Sequence, residues 1–392
     1  MLGVSGGIAA YKSVSLARLL TQAGAQVDVV LTRAALEFVG AITFEAVTGR
    51  QAVAEIFEPG HALDHIRLAR EADVVVIAPA TADLMARAAH GHADDLLTAS
   101  LLATGSQVLF VPAMNDRMWA HPQTVRNVEH LREIGYKVLD PDDGPLAIGE
   151  GSGPGRMPEP EAIFAQLGRL LEPDSSLRGR RILVTTGATR EPVDPVRFIS
   201  NHSSGKMGIA IASAAWRRGA DVTLIAGHTD VAVPSGLRVI RADTTEAMAR
   251  AVSSEVASID ALVMAAAPAD FTVKGAGETK LKREGGAPTL ELSETADIVK
   301  AASASRKKGS VIVGFALETG DAARRGAEKL RSKNLDMIVV NDQNEPGAGF
   351  GGDTNRVTLM SKDGTREELP LMLKTELADE LLDRIGALLN GS

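Results

Sequence analysis

Two glycine-rich turns in this 392-residue chain have the residue types that bind phosphate groups. The first, residues 3–10 (GVSGGIAA), follows a short apolar run and opens a helical pattern. Glycines let the backbone come close to a phosphate, and a helix start supplies free N–H groups and the positive end of the helix dipole. The turn is neither a Walker A loop nor a clean GxGxxG motif, so tight packing of helix against strand is the alternative.

The second half carries a similar arrangement at residues 203–206 (SSGK), where a helical pattern begins. Ser203, Ser204 and Gly205 are suitable donors to a phosphate, and Lys206 adds positive charge. The alternative is an ordinary helix N-cap. Further on, Lys329 and Lys333 are four residues apart and therefore share one helix face, which could hold a triphosphate. Their spacing alone favours a solvated charged face.

Strands and helices must alternate along the chain to position these residues. The candidate strands are 27–31, 74–78, 108–111, 182–186, 222–226, 261–266, 311–316 and 337–340, and the helical patterns include 12–23, 82–89, 207–218 and 322–332. Continuous apolar strands that alternate with helices predict parallel sheets covered by helices on both faces. Ligands are then expected at the carboxyl ends of the strands.

A polar, turn-rich stretch divides the chain into two predicted domains. Residues 171–180 (LEPDSSLRGR) separate two halves that each restart with a strand and a glycine turn, which places one domain at 1–170 and the other at 181–392. Two domains also agree with the usual size of roughly 100–200 residues per domain. Only residues 1–4 precede the first glycine turn, so either the first strand is very short or the true start of the protein lies upstream.

Composition excludes several classes of function. The 50 acidic residues outnumber the 42 lysines and arginines, and a formal charge of −8 gives no general attraction to nucleic acid or to an anionic membrane. The chain has no cysteine, which excludes disulfides, thiolate metal sites and cysteine nucleophiles and fits a reducing cytoplasm. No segment approaches the roughly 20 apolar residues of a membrane span, and the start does not have the pattern of a signal peptide.

Three further stretches of the first half accompany the glycine turn in a specific order. They are 65–70 (HIRLAR), 78–97 (APATADLMARAAHGHADDLL) and 112–119 (PAMNDRMW). Together they resemble the flavin-dependent cysteine decarboxylases over about residues 2–157. The resemblance implies a flavodoxin-like parallel sheet that binds FMN and assembles into trimers.

The same resemblance implies roles for single residues. His65 would be the catalytic base near the flavin, although alone it reads as a surface histidine, and Asn115 would hold the substrate carboxylate in a pocket shared between subunits. The FMN contacts would be Ser5, Gly6, Thr32 and Thr81. Loss of carbon dioxide leaves a carbanion, so FMN would first oxidise the thiol of phosphopantothenoylcysteine to a thioaldehyde that accepts the electrons.

Two positions depart from that family. Its substrate clamp, residues 145–157 here, has Ile148 where the family places a proton-donating cysteine. Isoleucine cannot donate a proton, so either Glu150 or an ordered water supplies it, or the reaction stalls at an oxidised enethiol. Asp83 stands where the family has asparagine, and an ionised carboxylate only accepts hydrogen bonds.

The motifs of the second half resemble phosphopantothenate–cysteine ligase over about residues 180–360. They are 185–192 (TTGATREP), 197–208 (RFISNHSSGKMG), 264–271 (MAAAPADF), 279–282 (TKLK), 314–319 (GFALET) and 328–342 (EKLRSKNLDMIVVND). With the first half, the chain resembles the bifunctional bacterial phosphopantothenoylcysteine decarboxylase/phosphopantothenate–cysteine ligase family. That family supplies two successive steps of coenzyme A synthesis.

The ligase resemblance implies nucleotidyl activation in a Rossmann-like domain. The phosphopantothenate carboxylate would attack the α-phosphate of CTP, and the amine of cysteine would then attack the acyl-cytidylate and expel CMP. Asn201 would act on the intermediate, and Lys280 would meet the phosphates, with Lys282 as a second candidate. The nucleotide site would be lined by Ala266, Asp270, Ala296, Phe315, Lys329 and Lys333. Asp270 would also contact Mg²⁺, unless it only caps a turn.

The resemblance also implies an assembly, since trimers of the first domain joined by dimers of the second would form a large homo-oligomer. Two other functions stay open. One is an active ligase fused to an FMN domain that cannot complete the reductive half-reaction because of Ile148. The other is a phosphatase-regulating flavoprotein, although the chain lacks the long acidic tail of such regulators and retains His65 and Asn115.

Overall fold

The computed structural model describes residues 1–55, 63–172, 176–234, 236–277, 279–280, 289–318, 321–342 and 351–391. The chain divides into two compact units, Met1–Glu172 and Pro173–Ser392. Lys282, named above as a second phosphate contact, lies outside the described residues.

The first unit is a six-stranded parallel sheet with helices on both faces. Its strands are β1 (Leu2–Val4), β2 (Val29–Leu31), β3 (Ala52–Val53), β4 (Val74–Ala80), β5 (Gln107–Pro112), β6 (Lys137–Val138), and a separate hairpin of β7 (Asp142–Pro145) and β8 (Ser152–Arg156). Its helices are α1 (Ala10–Gln22), α2 (Ala41–Thr48), α3 (Asp64–Glu71), α4 (Ala82–Ala89), α5 (Leu96–Ala103), α6 (Asp116–Trp119), α7 (Pro122–Glu133) and α8 (Pro160–Leu171).

The strand order of this sheet is β3-β2-β1-β4-β5-β6, and every neighbouring pair is parallel. The parallel α/β architecture is thus as predicted, with the doubly wound order 3-2-1-4-5-6 in place of the 2-1-3-4-5 order of flavodoxin itself. Apolar side chains of α1, α2 and α8 fill one face, and those of α3, α4, α5 and α7 fill the other. The order reverses between β1 and β4, which is where such sheets bind ligands.

The second unit is a larger sheet with the same layering. Its strands are β9 (Arg181–Thr186), β10 (Arg190–Pro192), β11 (Phe198–Ser200), β12 (Asp221–Ala226), β13 (Arg238–Arg241), β14 (Ala261–Met264), β15 (Phe271–Val273), β16 (Leu292–Glu294), β17 (Val311–Glu318), β18 (Met337–Asp342), β19 (Thr354–Ser361) and β20 (Arg366–Leu373). Its helices are α9 (Lys206–Arg217), α10 (Thr245–Glu255), α11 (Ile298–Ser305), α12 (Ala322–Ser332) and α13 (Lys374–Asn390).

Eight of these strands form one sheet in the order β13-β12-β9-β14-β17-β18-β19-β20. The first six are parallel, as predicted, while β19 and β20 add an antiparallel edge that the strand patterns did not include. Helices α9 and α13 cover one face, and α10, α11 and α12 cover the other. Each of the two small hairpins, β10–β11 and β15–β16, lies outside this sheet.

Helix α9 starts very close to the carboxyl end of β9. The hydroxyl of Thr186 donates to the carbonyl oxygen of Gly205 over 2.7 Å. Gly205 has a φ of 77°, and a Cβ at this position would lie 2.6 Å from Thr229 Cγ2, so both conformation and space require glycine. This approach brings the SSGK turn to the edge of the sheet where ligands bind.

The eight strands predicted from apolar runs are all present, with ends that differ by a few residues. The strands that the pattern missed lie at sheet edges or in hairpins, and all of them except β19 and β20 have five residues or fewer. Among the residues described, no helix has both the length and the apolar character needed to cross a membrane.

Candidate functional site

Three of the predicted FMN contacts follow neighbouring strands of the first sheet. Ser5 follows β1, Thr32 follows β2 and Thr81 follows β4. The hydroxyl of Ser5 donates to the carbonyl oxygen of Pro79 over 2.8 Å and accepts the backbone N–H of Thr81 at 3.0 Å. The N–H of Thr32 donates to the carbonyl oxygen of Val4 over 3.0 Å. The structure therefore brings these residues to one carboxyl edge, at the switch point.

The glycine turn presents unused backbone donors at the same edge. The N–H groups of residues 6–9, just before α1, donate to no acceptor among the described residues. A Cβ on Gly6 would lie 2.5 Å from the Cβ of Ala34 and 2.7 Å from its carbonyl carbon, so this position has no room for a side chain. Free N–H groups at the start of a 13-residue helix fit the phosphate of a flavin mononucleotide.

His65 lies in the first turn of α3. Because α3 connects the parallel strands β3 and β4, its first residues are at the carboxyl edge of the sheet. The ring atom Nδ1 of His65 is buried and has no hydrogen-bond partner among the described residues. A buried ring nitrogen without a partner costs roughly 1–3 kcal/mol, and a bound ligand at this edge could supply that partner.

Asn115 caps the short helix α6 with its Oδ1, which accepts the N–H of Arg117 at 2.9 Å. Its Nδ2 group donates to no described residue, so two donors are available to a carboxylate. The clamp hairpin packs directly against this turn, since the N–H of Met114 donates to the carbonyl oxygen of Gly155 over 3.0 Å. The amide of Asn115 and the clamp hairpin, β7–β8, therefore lie side by side.

The base of the clamp hairpin is fixed, whereas its tip is exposed. The buried ammonium of Lys12 donates to the carbonyl oxygen of Met157 over 2.7 Å and to Glu159 over 3.1 Å. Burial alone would raise the pKa of Glu159, but the charges and hydrogen bonds of Lys12 and Arg156 together outweigh it and lower that pKa below its ordinary value. At the tip, Ile148 and Glu150 are both exposed to solvent.

In the second unit, most of the predicted nucleotide residues line one cavity of about 490 Å³ at the carboxyl edge of the sheet. The predicted residues that line it are Ala266, Asp270, Ala296, Phe315, Lys329 and Lys333, together with the SSGK turn. Lys280 is exposed and is not part of the lining. The structure thus gathers motifs that are separated by more than 100 residues, and leaves Lys280 outside the cavity.

Asn201 holds a wall of this cavity although it does not line it. Its Nδ2 donates to the carbonyl oxygens of Ala267 and Pro268 over 3.1 and 3.0 Å. Both carbonyls belong to the loop that follows β14, and that loop forms one wall. Because both amide hydrogens are used, only Oδ1 of Asn201 is left to accept a bond from a ligand.

Each of the two helix lysines is paired with a carboxylate. Lys329 lies 2.7 Å from Glu318, whose side chain is only 6% exposed at the end of β17, and Lys333 lies 3.2 Å from Asp297. These pairs orient the two ammonium groups at the wall formed by α12 and α11. Both lysines therefore have a carboxylate beside them at the cavity, while their side chains remain 45% and 32% exposed.

The opposite wall contains residues that the sequence motifs did not single out. Lys374 opens α13 and lines the cavity beside Lys206, and Asn341 and Asn355 line it with a mutual hydrogen bond of 3.0 Å. Burial, and then the charge of Lys206, lower the pKa of Lys374 below its ordinary value. The only available sequence signal for Lys374 was its position at the start of an amphipathic helix, and that signal is common.

Asp270, the predicted magnesium contact, lines the cavity and is exposed. Among the described residues, no group of three or more His, Asp or Glu side chains is arranged to hold a metal ion. A metal at Asp270 would therefore need most of its ligands from the phosphates of a nucleotide and from water, as is usual for Mg²⁺.

Two family models match the two halves of the chain. The model described as Flavoprotein matches residues 1–171, and the model described as DNA/pantothenate metabolism flavoprotein C-terminal domain matches residues 177–389. The Coenzyme A biosynthesis bifunctional protein CoaBC of Mycobacterium tuberculosis is 47% identical over 406 residues, which cover 100% of this chain and 97% of that protein. The CoaBC protein of Bacillus subtilis is 43% identical over 393 residues, which cover 99% of this chain and 96% of that protein.

Solved structures match each half separately. The C-terminal domain of a CoaBC protein is 37% identical and covers 56% of this chain and 100% of that domain, with a TM-score of 0.48. PPC decarboxylase complexed with pantothenoylaminoethenethiol is 32% identical and covers 42% of this chain and 93% of its own, with a TM-score of 0.38.

Proposed function

This chain belongs to the family of bifunctional coenzyme A biosynthesis proteins, in which a flavoprotein decarboxylase domain precedes a ligase domain, and from this membership we propose its two reactions. The second unit joins phosphopantothenate to cysteine at the expense of CTP, through an acyl-cytidylate. The first unit, with FMN bound, decarboxylates the resulting phosphopantothenoylcysteine to phosphopantetheine.

The observation that carries the ligase proposal is that one cavity is lined by the SSGK turn, the loop after β14 and the two lysines at the C-terminal end of α12. A bare carboxylate is a poor acyl donor, so its oxygen attacks the α-phosphorus of CTP and the bond to pyrophosphate breaks. The amine of cysteine then attacks the acyl carbon, loses a proton and expels CMP. Negative charge on the phosphate oxygens is stabilised by Lys329 and Lys333, and by Mg²⁺ when it is bound near Asp270.

Asn201 and Lys280 have different parts in this reaction. Asn201 fixes the loop at Ala267 and Pro268 and offers Oδ1 toward the bound intermediate, which supports a role in the second step. Lys280 is exposed and lies outside the cavity lining, and in this proposal its ammonium contacts the phosphates of the nucleotide.

For the first unit, the free N–H groups before α1 and the hydroxyls of Ser5, Thr32 and Thr81 support FMN binding at the switch point. FMN bound there supplies the acceptor for the hydride that leaves the cysteine unit when its thiol is oxidised. His65 takes a proton from the substrate at the start of α3, and the Nδ2 group of Asn115 donates to the substrate carboxylate. The clamp hairpin packs on the turn of Asn115 and excludes water from that carboxylate.

The exposed Ile148 favours a second candidate function for the first unit. In it, the domain carries out oxidation and decarboxylation but releases an oxidised enethiol, because no thiol in the clamp protonates it. In the leading proposal, Glu150 or water supplies that proton. The ligase is the same in both candidates.

The proposed assembly is a homo-oligomer, with trimers of the first unit joined by dimers of the second, acting in the cytoplasm. Its support is the family membership and the pocket shared between subunits that the role of Asn115 requires. Sedimentation of the purified chain tests it, and a monomer that still decarboxylates would contradict it.

A reconstitution experiment tests the function. Purified protein with phosphopantothenate, cysteine, Mg²⁺ and CTP should release pyrophosphate and CMP, with ATP, GTP and UTP as parallel substitutions. Mass spectrometry of the thiol product then separates phosphopantetheine from the enethiol, which has two hydrogens fewer. Absence of CMP with every substrate present would contradict the ligase proposal, and equal rates with ATP would contradict the choice of CTP.

A further inference from the structure

The cavity of the second unit has lysines on two opposite walls. Lys329 and Lys333 belong to the wall of α12, on one face of the sheet. Lys206 opens α9 and Lys374 opens α13, and these helices pack on the other face. The two pairs therefore approach the carboxyl edge from different sides. The motifs indicated Lys329, Lys333 and Lys206 as phosphate contacts, but not Lys374.

In the part of the chain that the structure describes, the Lys206–Lys374 wall contains three charged groups, the two lysines and Asp353. Lys206 donates to Asp353 Oδ1 over 2.6 Å and to the carbonyl oxygen of Gly351 over 3.0 Å. Lys374 donates to the carbonyl oxygen of Gly352 over 2.6 Å, and the N–H of Lys374 donates to the carbonyl oxygen of Asp353 over 2.9 Å. Among the described residues, two ammonium groups thus share the neighbourhood of one carboxylate at this wall.

Lys374 is the unusual member of this group because the residue is only 6% exposed. An ammonium that is withdrawn from water is unfavourable unless negative charge compensates it. The charge of Lys206 repels it as well, and its pKa is lowered accordingly. A phosphate group in the cavity would bring negative charge close to both lysines, which line it.

Backbone N–H groups at the same wall are further donors that could bind a phosphate. The N–H groups of residues 205–208, at the start of α9, donate to no acceptor among the described residues. With the lysines, they form a concave set of donors that faces the cavity.

We propose that Lys374 and Lys206 form a second phosphate subsite of this cavity, distinct from the Lys329–Lys333 wall. The inference rests on the proposed ligase function, in which two phosphorylated substrates must be bound together. The subsite takes a phosphate group either of the nucleotide or of phosphopantothenate. Two cationic walls would then keep the two like-charged ligands apart while the carboxylate reaches the α-phosphorus.

The test variant is Lys374→Met, which removes the charge. Two variants serve as controls. Lys374→Arg keeps the charge, and Lys308→Met removes an exposed lysine outside the cavity lining. KM is measured for CTP and for phosphopantothenate separately, each with the other substrates saturating. Loss of one charge-assisted contact should raise one of the two KM values about 10- to 100-fold in Lys374→Met. The substrate whose KM rises identifies the source of the phosphate.

Binding of inorganic pyrophosphate, measured by calorimetry on the full chain, provides a readout that does not need ligase turnover. It should weaken in Lys374→Met and in Lys206→Met, and should persist in Lys374→Arg and Lys308→Met. Lys206→Met also serves if the buried Lys374→Met variant fails to fold, which its melting temperature reports. If the unmodified chain has no ligase activity, the proposed function is contradicted but the subsite is not. The subsite is still tested by the binding of pyrophosphate.

The proposal is overturned if folded Lys374→Met and Lys206→Met bind pyrophosphate normally and keep both KM values. Lys374 would then only anchor the segment of Gly352 and Asp353 to the start of α13.

Discussion

The carboxylate of Glu318 is buried at the end of β17 and lies 2.7 Å from the ammonium of Lys329, which lines the cavity of the second unit. Its other oxygen is 3.4 Å from the guanidinium of Arg325. A carboxylate with 6% exposure is retained in such a place only with cations beside it. Glu318 therefore fixes the side chain of Lys329 at the wall where the nucleotide is proposed to bind.

Replacing Glu318 by glutamine should loosen Lys329 without removing it. The amide has the same size but no charge, so the KM for CTP should rise about tenfold while kcat changes little. Glu328→Gln is the matched control, because Glu328 precedes Lys329 on α12, is exposed and pairs with Arg324 instead. Steady-state kinetics with varied CTP measure the effect, and an unaltered KM in a folded Glu318→Gln variant would show that Lys329 needs no such anchor.

Asn201→Asp should separate the two steps of the ligase. A carboxylate cannot donate to the carbonyl oxygens of Ala267 and Pro268, so the wall and the acceptor at Oδ1 both change. Pyrophosphate release dependent on CTP should continue, while amide formation falls about 100-fold and the acyl-cytidylate accumulates. Chromatography of quenched reactions measures the intermediate, and full ligase turnover by the variant would refute the role of Asn201.

FMN retention tests the glycine-turn edge of the first unit. The purified chain should be yellow, with about one FMN per chain. Ser5→Ala removes the bonds to Pro79 and Thr81 and should lower the affinity for FMN about tenfold. Ser106→Ala is the control, because the Ser106 hydroxyl donates to the carbonyl oxygen of Ala72, just before β5. Colourless protein that cannot be reconstituted with FMN would remove the proposed role of this edge.

The clamp substitution gives a further prediction, for the second candidate function. If the second candidate function is right, the unmodified chain releases the enethiol. The variant Ile148→Cys should then produce phosphopantetheine, because a thiol can donate the missing proton. Ile148→Ser controls for the loss of the isoleucine side chain. Product masses distinguish the outcomes, and repeated turnovers to phosphopantetheine by the unmodified chain would exclude this candidate.

The stability of the second unit should depend on pH through Asp260. Burial alone would raise the pKa of Asp260, but the ammonium of Lys307 and the N–H of Arg181 outweigh it and lower that pKa below its ordinary value. A carboxyl with a lowered pKa in the folded state stabilises the fold above its unfolded pKa of about 3.9, and this contribution is lost as pH falls through the folded value.

Asp260→Asn should therefore destabilise the fold at pH 7 by roughly 1–3 kcal/mol, and by less at acidic pH. Urea unfolding of the full chain between pH 7 and pH 3 measures the difference. An equal destabilisation across that range would mean that the charge of Asp260 is not the source of the effect.

The sequence by itself determined the architecture and much of the site. Continuous apolar runs such as 74–78 and 182–186 predict central parallel strands because both faces of such strands are buried. The motif residues that follow these strands, such as Ser5 and Thr81, must then lie at one edge of the sheet. This inference needs only the spacing of residues along the chain and no knowledge of tertiary contacts.

Only the tertiary structure decided which distant side chains complete the site. Lys374 lies 168 positions after Lys206 along the chain, and the two meet because α9 and α13 pack on the same face of the sheet. The pairing of Glu318 with Lys329 likewise depends on how α12 returns along β17. Such contacts are set by packing across the sheet rather than by periodicity along the chain, so no local pattern of residues can specify them.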